Sequence, residues 1–156
     1  MGASSSLYES FIKYDIYFSY AEEKELLSTL MEKIKNLDYN ILNSSLIKDN
    51  LQTYPIAQIS SFVQQFFAKT NYIFICISSK SISSICQSIE INEIFKQPSN
   101  SCKIIYIMTE SNFTPSTNTE LYSIIKKNIW LPLYDEESFN QTNEFIISLI
   151  EIDKMK

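Results

Sequence analysis

Short apolar runs alternate with segments of helical periodicity five times along this chain, and that alternation constrains its fold more than any other feature. Residues 14–20, 39–42, 72–77, 103–108 and 129–133 read as strands. Residues 22–37, 55–69, 81–95, 118–127 and 138–152 read as helices. The run 72–77 has no polar interruption, the pattern of a strand covered on both faces. In the first helical segment Leu26, Leu30, Ile34 and Leu37 form one stripe, widened by Leu27 and Met31. Glu22, Glu23 and Glu25 precede that stripe and Lys33 and Lys35 follow, matching the helix dipole. The segment 55–69 places Ile56, Ile59, Val63, Phe66 and Phe67 on one side, with Pro55 at the first helical position. In 81–95 the spacing turns Ile82, Ile85, Cys86 and Ile89 inward, and Ser138 with Gln141 forms a capping box. Pro115 lies in the loop before the fourth helix, and Pro132 marks the fifth strand as an edge or strand end.

Strict strand-helix alternation predicts an α/β fold: a five-stranded parallel sheet with helices on both faces, joined by right-handed crossovers. Its 156 residues suit one domain with its own core. Ligands on such folds bind outside the carboxyl ends of the strands. Candidate site residues therefore belong to 19–23, 43–54, 78–90, 109–118 and 134–138.

Composition removes several chemistries from those segments. Gly2 is the single glycine, which excludes a phosphate-binding glycine loop and a dinucleotide fingerprint. The chain has no histidine, so histidine-dependent nucleophilic triads and histidine metal ligands are absent. It has no arginine either, hence no bidentate fork for carboxylate or phosphate. The net charge of -5, with no basic cluster, argues against nucleic acid as a partner. Three cysteines without a secretory signal predict a reducing, cytoplasmic compartment. No apolar run approaches the length of a membrane span. Two families of this architecture fail on their own chemistry. A phosphoacceptor receiver needs acidic residues after the first strand, an Asp ending the third and a Lys ending the fifth. Here those positions hold Ser19-Tyr20, Ser78-Ser79 and Tyr134. A flavodoxin phosphate loop would meet Glu22 and Glu23.

Three segments match a different family. Tyr14-Asp15-Ile16-Tyr17-Phe18-Ser19-Tyr20 is an aromatic-Asp-apolar-aromatic-apolar-Ser-Tyr strand. Ser78 is followed six residues later by Ser84, then by Cys86-Gln87 and Glu90-Ile91; Ile129-Trp130 opens the last strand. In this order they resemble the first box, the Ser-x-Trp-Cys-x-x-Glu-Leu segment and the Phe-Trp of the third box of the TIR (Toll/interleukin-receptor) domain. The resemblance spans residues 14–152 and implies a TIR domain over 13–153 with a flavodoxin-like fold. The sequence departs from the family at Cys86, where tryptophan is usual, and in 43–54, which lacks the usual arginine and Pro-Gly.

The resemblance implies a signal-transduction module that acts by homotypic TIR–TIR assembly, homo-oligomeric on activation and requiring no cofactor. The segment 43–54 would be its interaction loop, through Asn43, Lys48, Asp49, Tyr54 and Pro55. It also leaves an enzymatic reading open, in which NAD is the substrate and Glu90 is the carboxylate stabilising positive charge on the ribose as nicotinamide leaves. Ser19, Tyr20, Ser78 and Ser84 would line that cleft. A third reading is a sensor that binds NAD or ADP-ribose without cleaving it. No metal ligand set is visible. Separately, Met1-Gly2 with Ser6 fits the myristoylation pattern, so residues 1–12 read as a leader that is acylated at Gly2 and associates weakly with membranes.

Overall fold

The computed structural model describes residues 14–96, 102–111, 113 and 120–155. Gly2, the leader and Pro115 lie outside them. Five strands form one all-parallel sheet in the order β2-β1-β3-β4-β5. They are β1 (Tyr14–Tyr20), β2 (Ile41–Asn43), β3 (Thr70–Ile77), β4 (Lys103–Met108) and β5 (Leu131–Pro132). Among the described residues six α-helices connect and cover them: α1 (Glu25–Lys35), α2 (Ser44–Asn50), α3 (Ile56–Ala68), α4 (Ile85–Ile94), α5 (Glu120–Lys127) and α6 (Glu136–Lys154). A 3-10 turn, Ser79–Ser83, precedes α4. This is a flavodoxin-like α/β fold, with its strand order reversing between β1 and β3.

Side-chain alternation divides the central strands between two cores. Ile16, Phe18 and Tyr20 of β1, with Tyr72, Phe74 and Cys76 of β3, pack under α1 and α6. Tyr17 with Ile73, Ile75 and Ile77 packs under α3, α4 and α5. Phe18 meets Phe74 edge-on at 4.8 Å between ring centroids, and Tyr17 meets Phe67 at the same distance on the other face. The uninterrupted run in β3 is thus buried on both sides, as its composition predicts.

Several expected elements shift. The polar stretch 43–54 is not an open loop: Asn43 caps α2 by accepting from the Ser45 N–H at 2.9 Å, and residues 44–50 are helical. Ile47 and Ser44 bury one side of this helix, a period too short to register in a polar stretch. Pro55 stands one position before α3, at the N-cap, with its carbonyl accepting from the Gln58 and Ile59 N–H groups. Ile56 faces outward, and the buried stripe begins at Ile59. The capping box of α6 is formed by Asp135 with Ser138, not by Ser138 with Gln141, because the helix starts two residues earlier. Trp130 is half-buried against Tyr106, its indole N–H donating to the Ile125 carbonyl.

The scarcity of glycine shows at the end of α1. The chain turns out of that helix through a left-handed residue, Asp38, at φ 67°. Glycine is the usual occupant of such a position, and a short polar side chain is the next best tolerated.

Candidate functional site

Glu90 lies in the middle of α4 with no exposed surface. Three hydroxyls from two other elements converge on its carboxyl group. Tyr17 donates to Oε2, Ser19 donates to Oε1 at 2.9 Å, and the Ser44 hydroxyl lies 2.7 Å from both oxygens. The Ser44 oxygen also accepts the Tyr20 N–H at 2.9 Å. One side chain therefore joins the carboxyl end of β1, the first turn of α2 and the body of α4. Beside it Gln87 donates to the Ser19 and Cys76 carbonyls, while its own Oε1 has no partner among the described residues. Cys86 donates to the Ser44 carbonyl at 3.7 Å.

Burial dominates the electrostatics. Among the described residues no cation is bonded to Glu90, and removal from water pushes its carboxyl up to about 7, against the hydroxyl bonds that favour the charge. Burial and the adjacent carboxylate drive Tyr17 far above its ordinary value, so it remains a donor. The thiols of Cys76 and Cys86 are likewise raised by burial and then by Glu90, which leaves them unreactive packing groups.

The remaining sequence candidates do not all reach this cluster, and strand parity explains which ones do. Ser19 shares a face with Tyr17 and meets Glu90. Tyr20 and Ser78 belong to the opposite parity. The Tyr20 hydroxyl turns instead to Glu23, at 2.7 Å, and to Ser45. Ser78 caps the 3-10 turn, accepting from the Lys80 N–H and donating its own N–H to Ser81. Ser84 is the N-cap of α4, its hydroxyl accepting from the Gln87 N–H at 3.0 Å. Its extended backbone breaks the register between turn and helix. Ile82 and Ile85, expected to face inward, consequently face out at 56% and 64% exposure, whereas Cys86 and Ile89 are buried. Replacing Ser84 by alanine is expected to cost about 1 kcal/mol in denaturant unfolding, with threonine or aspartate restoring most of it.

The interaction-loop candidates spread around α2. Asn43 is its cap, Lys48 and Asp49 lie exposed on it, Tyr54 packs edge-on against Phe62 at 5.4 Å, and Pro55 is the N-cap of α3. Sequence reading missed Tyr17, Ser44 and Gln87. Tyr17 was detectable from its alternation with Ser19, whereas Ser44 is placed only by the pairing of Phe18 with Asn43 across β1 and β2.

A second polar bridge crosses the same end of the sheet. Lys24, after β1, donates to Glu110 at 3.0 Å, and Ser79, after β3, donates to the same carboxylate at 2.9 Å. Among the described residues, no group of three or more acidic or thiol side chains could hold a metal ion, and no helix is long and apolar enough to cross a membrane.

The fold and site together define an α/β protein with a buried, hydroxyl-bonded carboxyl group beside the carboxyl end of its first strand. Set beside known proteins, the chain matches no family model and no curated protein.

Proposed function

We propose that the chain is a divergent TIR-type signalling module, cytoplasmic, that works by homotypic assembly at the carboxyl end of its sheet. One observation carries this reading: three isoleucines stand exposed there. Ile56 opens α3, Ile82 lies in the 3-10 turn and Ile85 opens α4, with exposures of 59%, 56% and 64%. Each of these helices runs back toward the amino ends of the strands, so their first turns share one end and one face of the sheet. The α2 helix, with exposed Lys48 and Asp49, belongs to the same region. Burying such side chains against a second copy contributes at most roughly 1.5–3 kcal/mol each toward association.

A second reading, cleavage of NAD with Glu90, draws support from a carboxyl group that titrates near neutrality at the end where such folds bind ligands. Its burial weighs against that reading, because Glu90 exposes no surface to a substrate in this conformation. Sedimentation over a range of concentrations separates the two. Assembly should weaken at least tenfold in the Ile82→Asp, Ile85→Asp double variant, whose exposed positions spare the core. A chain that stays monomeric at high concentration would remove the assembly reading. NAD turnover by concentrated protein, abolished in Glu90→Gln, would make the enzyme reading primary. Calorimetric binding of ADP-ribose without turnover would point to a nucleotide sensor instead.

A further inference from the structure

A groove of about 430 Å³ runs along the outer edge of the sheet, and Glu90 is not among its lining residues. One wall is α1, through Ser28, Met31, Glu32 and Lys35; the other is the chain from Tyr39 through β2 to Asn43, and Glu23 closes the end. Its volume lies within the range of built binding sites. Met31 and Ile41 supply apolar floor, and Lys154 places its ammonium 5.2 Å from the Tyr39 ring centroid, steadying the far wall.

Three observations identify what fits. First, β2 is the terminal strand, and its outer edge pairs with no other strand among the described residues. Alternate N–H and C=O groups on that side are therefore open to an added strand. Second, the wall from Tyr39 to Asn43 covers four residue steps, roughly 13 Å of extended chain. Eight residues of α1, from Ser28 to Lys35, rise roughly 10 Å alongside it over seven steps. The groove is thus a slot for four or five extended residues. Third, its charge is acidic at the Glu23 end. Ser28 and Tyr20 both donate to Glu23, which holds its carboxyl below the usual range and keeps it ionised; Glu32 adds a second exposed carboxylate. The chain as a whole carries -5.

We propose that this groove binds an extended, lysine-bearing segment of a partner protein by adding it as a sixth strand beside β2. Main-chain hydrogen bonds to the strand edge supply affinity. Alternate side chains divide between the Met31–Ile41 floor and solvent, and a lysine over Glu23 and Glu32 sets orientation. None of the three exposed isoleucines lines the groove, although Asn43, which does, is also the N-cap of α2.

The test uses an acetylated, amidated Val-Lys-Val-Lys-Val peptide titrated into the isotope-labelled full chain. Amide shifts are expected at residues 28–35 and 40–43. Methylating alternate peptide nitrogens keeps the charge but removes strand pairing, and should weaken binding at least tenfold. Glu32→Lys, at an exposed position that leaves folding intact, should weaken it about threefold. Equal binding of the methylated peptide would reduce the contact to charge adhesion and overturn the proposal. So would shifts centred elsewhere, no response to the peptide, or small-molecule fragments occupying the groove while peptides do not.

Discussion

Replacing Glu90 by glutamine is expected to abolish most of the dependence of stability on pH between 5 and 8, and to make the protein more stable than wild type at pH 8. The folded-state pKa of Glu90 is raised from 4.5 to about 7 by burial, with three hydroxyl bonds opposing the shift. A carboxyl raised in this way holds its proton more tightly folded than unfolded. Its contribution is fully present below pH 4.5 and is lost as pH rises through 7. The shift corresponds to about 3 kcal/mol, a large share of a domain's net stability. Glutamine keeps the shape of the neutral acid, and the surrounding hydroxyls can rotate to donate to it or accept from it. It therefore escapes the cost of an ionised group above pH 7. Near pH 5, where Glu90 is mostly protonated, the variant should match wild type or fall slightly below it.

This chain is well suited to the measurement. It has no histidine, so the side chains that usually dominate this window are missing. Both buried thiols are driven well above it. Glu23 and Glu110 are shifted downward and act at lower pH. Denaturant unfolding of both proteins at pH 5, 6, 7 and 8 gives two curves that should diverge steadily above pH 5. Parallel curves would mean that Glu90 ionises without penalty, and hence that water or a cation reaches it.

The sheet was legible because its strands carry unambiguous signals. The aromatic and β-branched run of β1 and the unbroken run of β3 have no competing helical period, and the residues read for β1 and β4 match the observed bounds. Glu90 was singled out by its place in a resemblance that implies a cleft, whereas its carboxyl group is fully buried among hydroxyls. What remained hidden depends on registers between elements. Grouping Ser19 with Tyr20 neglects that neighbours on a strand face opposite ways, and Ser78 fails for the same reason. Placing Ile82 and Ile85 inside assumes one continuous helical phase across Ser84, which the N-cap interrupts. Ser44 sits in a stretch with no apolar stripe, and its role arises only because β2 pairs with β1 and delivers the start of α2 to the end of that strand.

Ser44→Ala should therefore be among the most damaging single changes outside the apolar core. The hydroxyl does two things at once: it accepts the Tyr20 N–H and donates to the Glu90 carboxyl group. Losing the first leaves a backbone donor without its partner, at about 1–3 kcal/mol, and losing the second removes a bond to an ionisable group of about 1.5–3 kcal/mol. The two losses share one atom and are not additive, so a total of about 2–4 kcal/mol is expected. Two further readouts distinguish this from ordinary loss of packing. Ser44 holds α2 against β1 and α4, so amide exchange should accelerate most in residues 44–50 while β3 keeps its protection. The Ser44 bond also lowers the Glu90 pKa against the pull of burial, so without it the carboxyl resonance should titrate at a higher pH than in wild type. A Ser44→Ala protein with uniform exchange, or with Glu90 titrating lower, would show that α2 is held by Ile47 and its neighbours and that the carboxyl cluster is incidental to it. If the expected pattern is found, the helix that carries Lys48 and Asp49 is latched by one buried hydroxyl, and any assembly through that face inherits its sensitivity to the charge on Glu90.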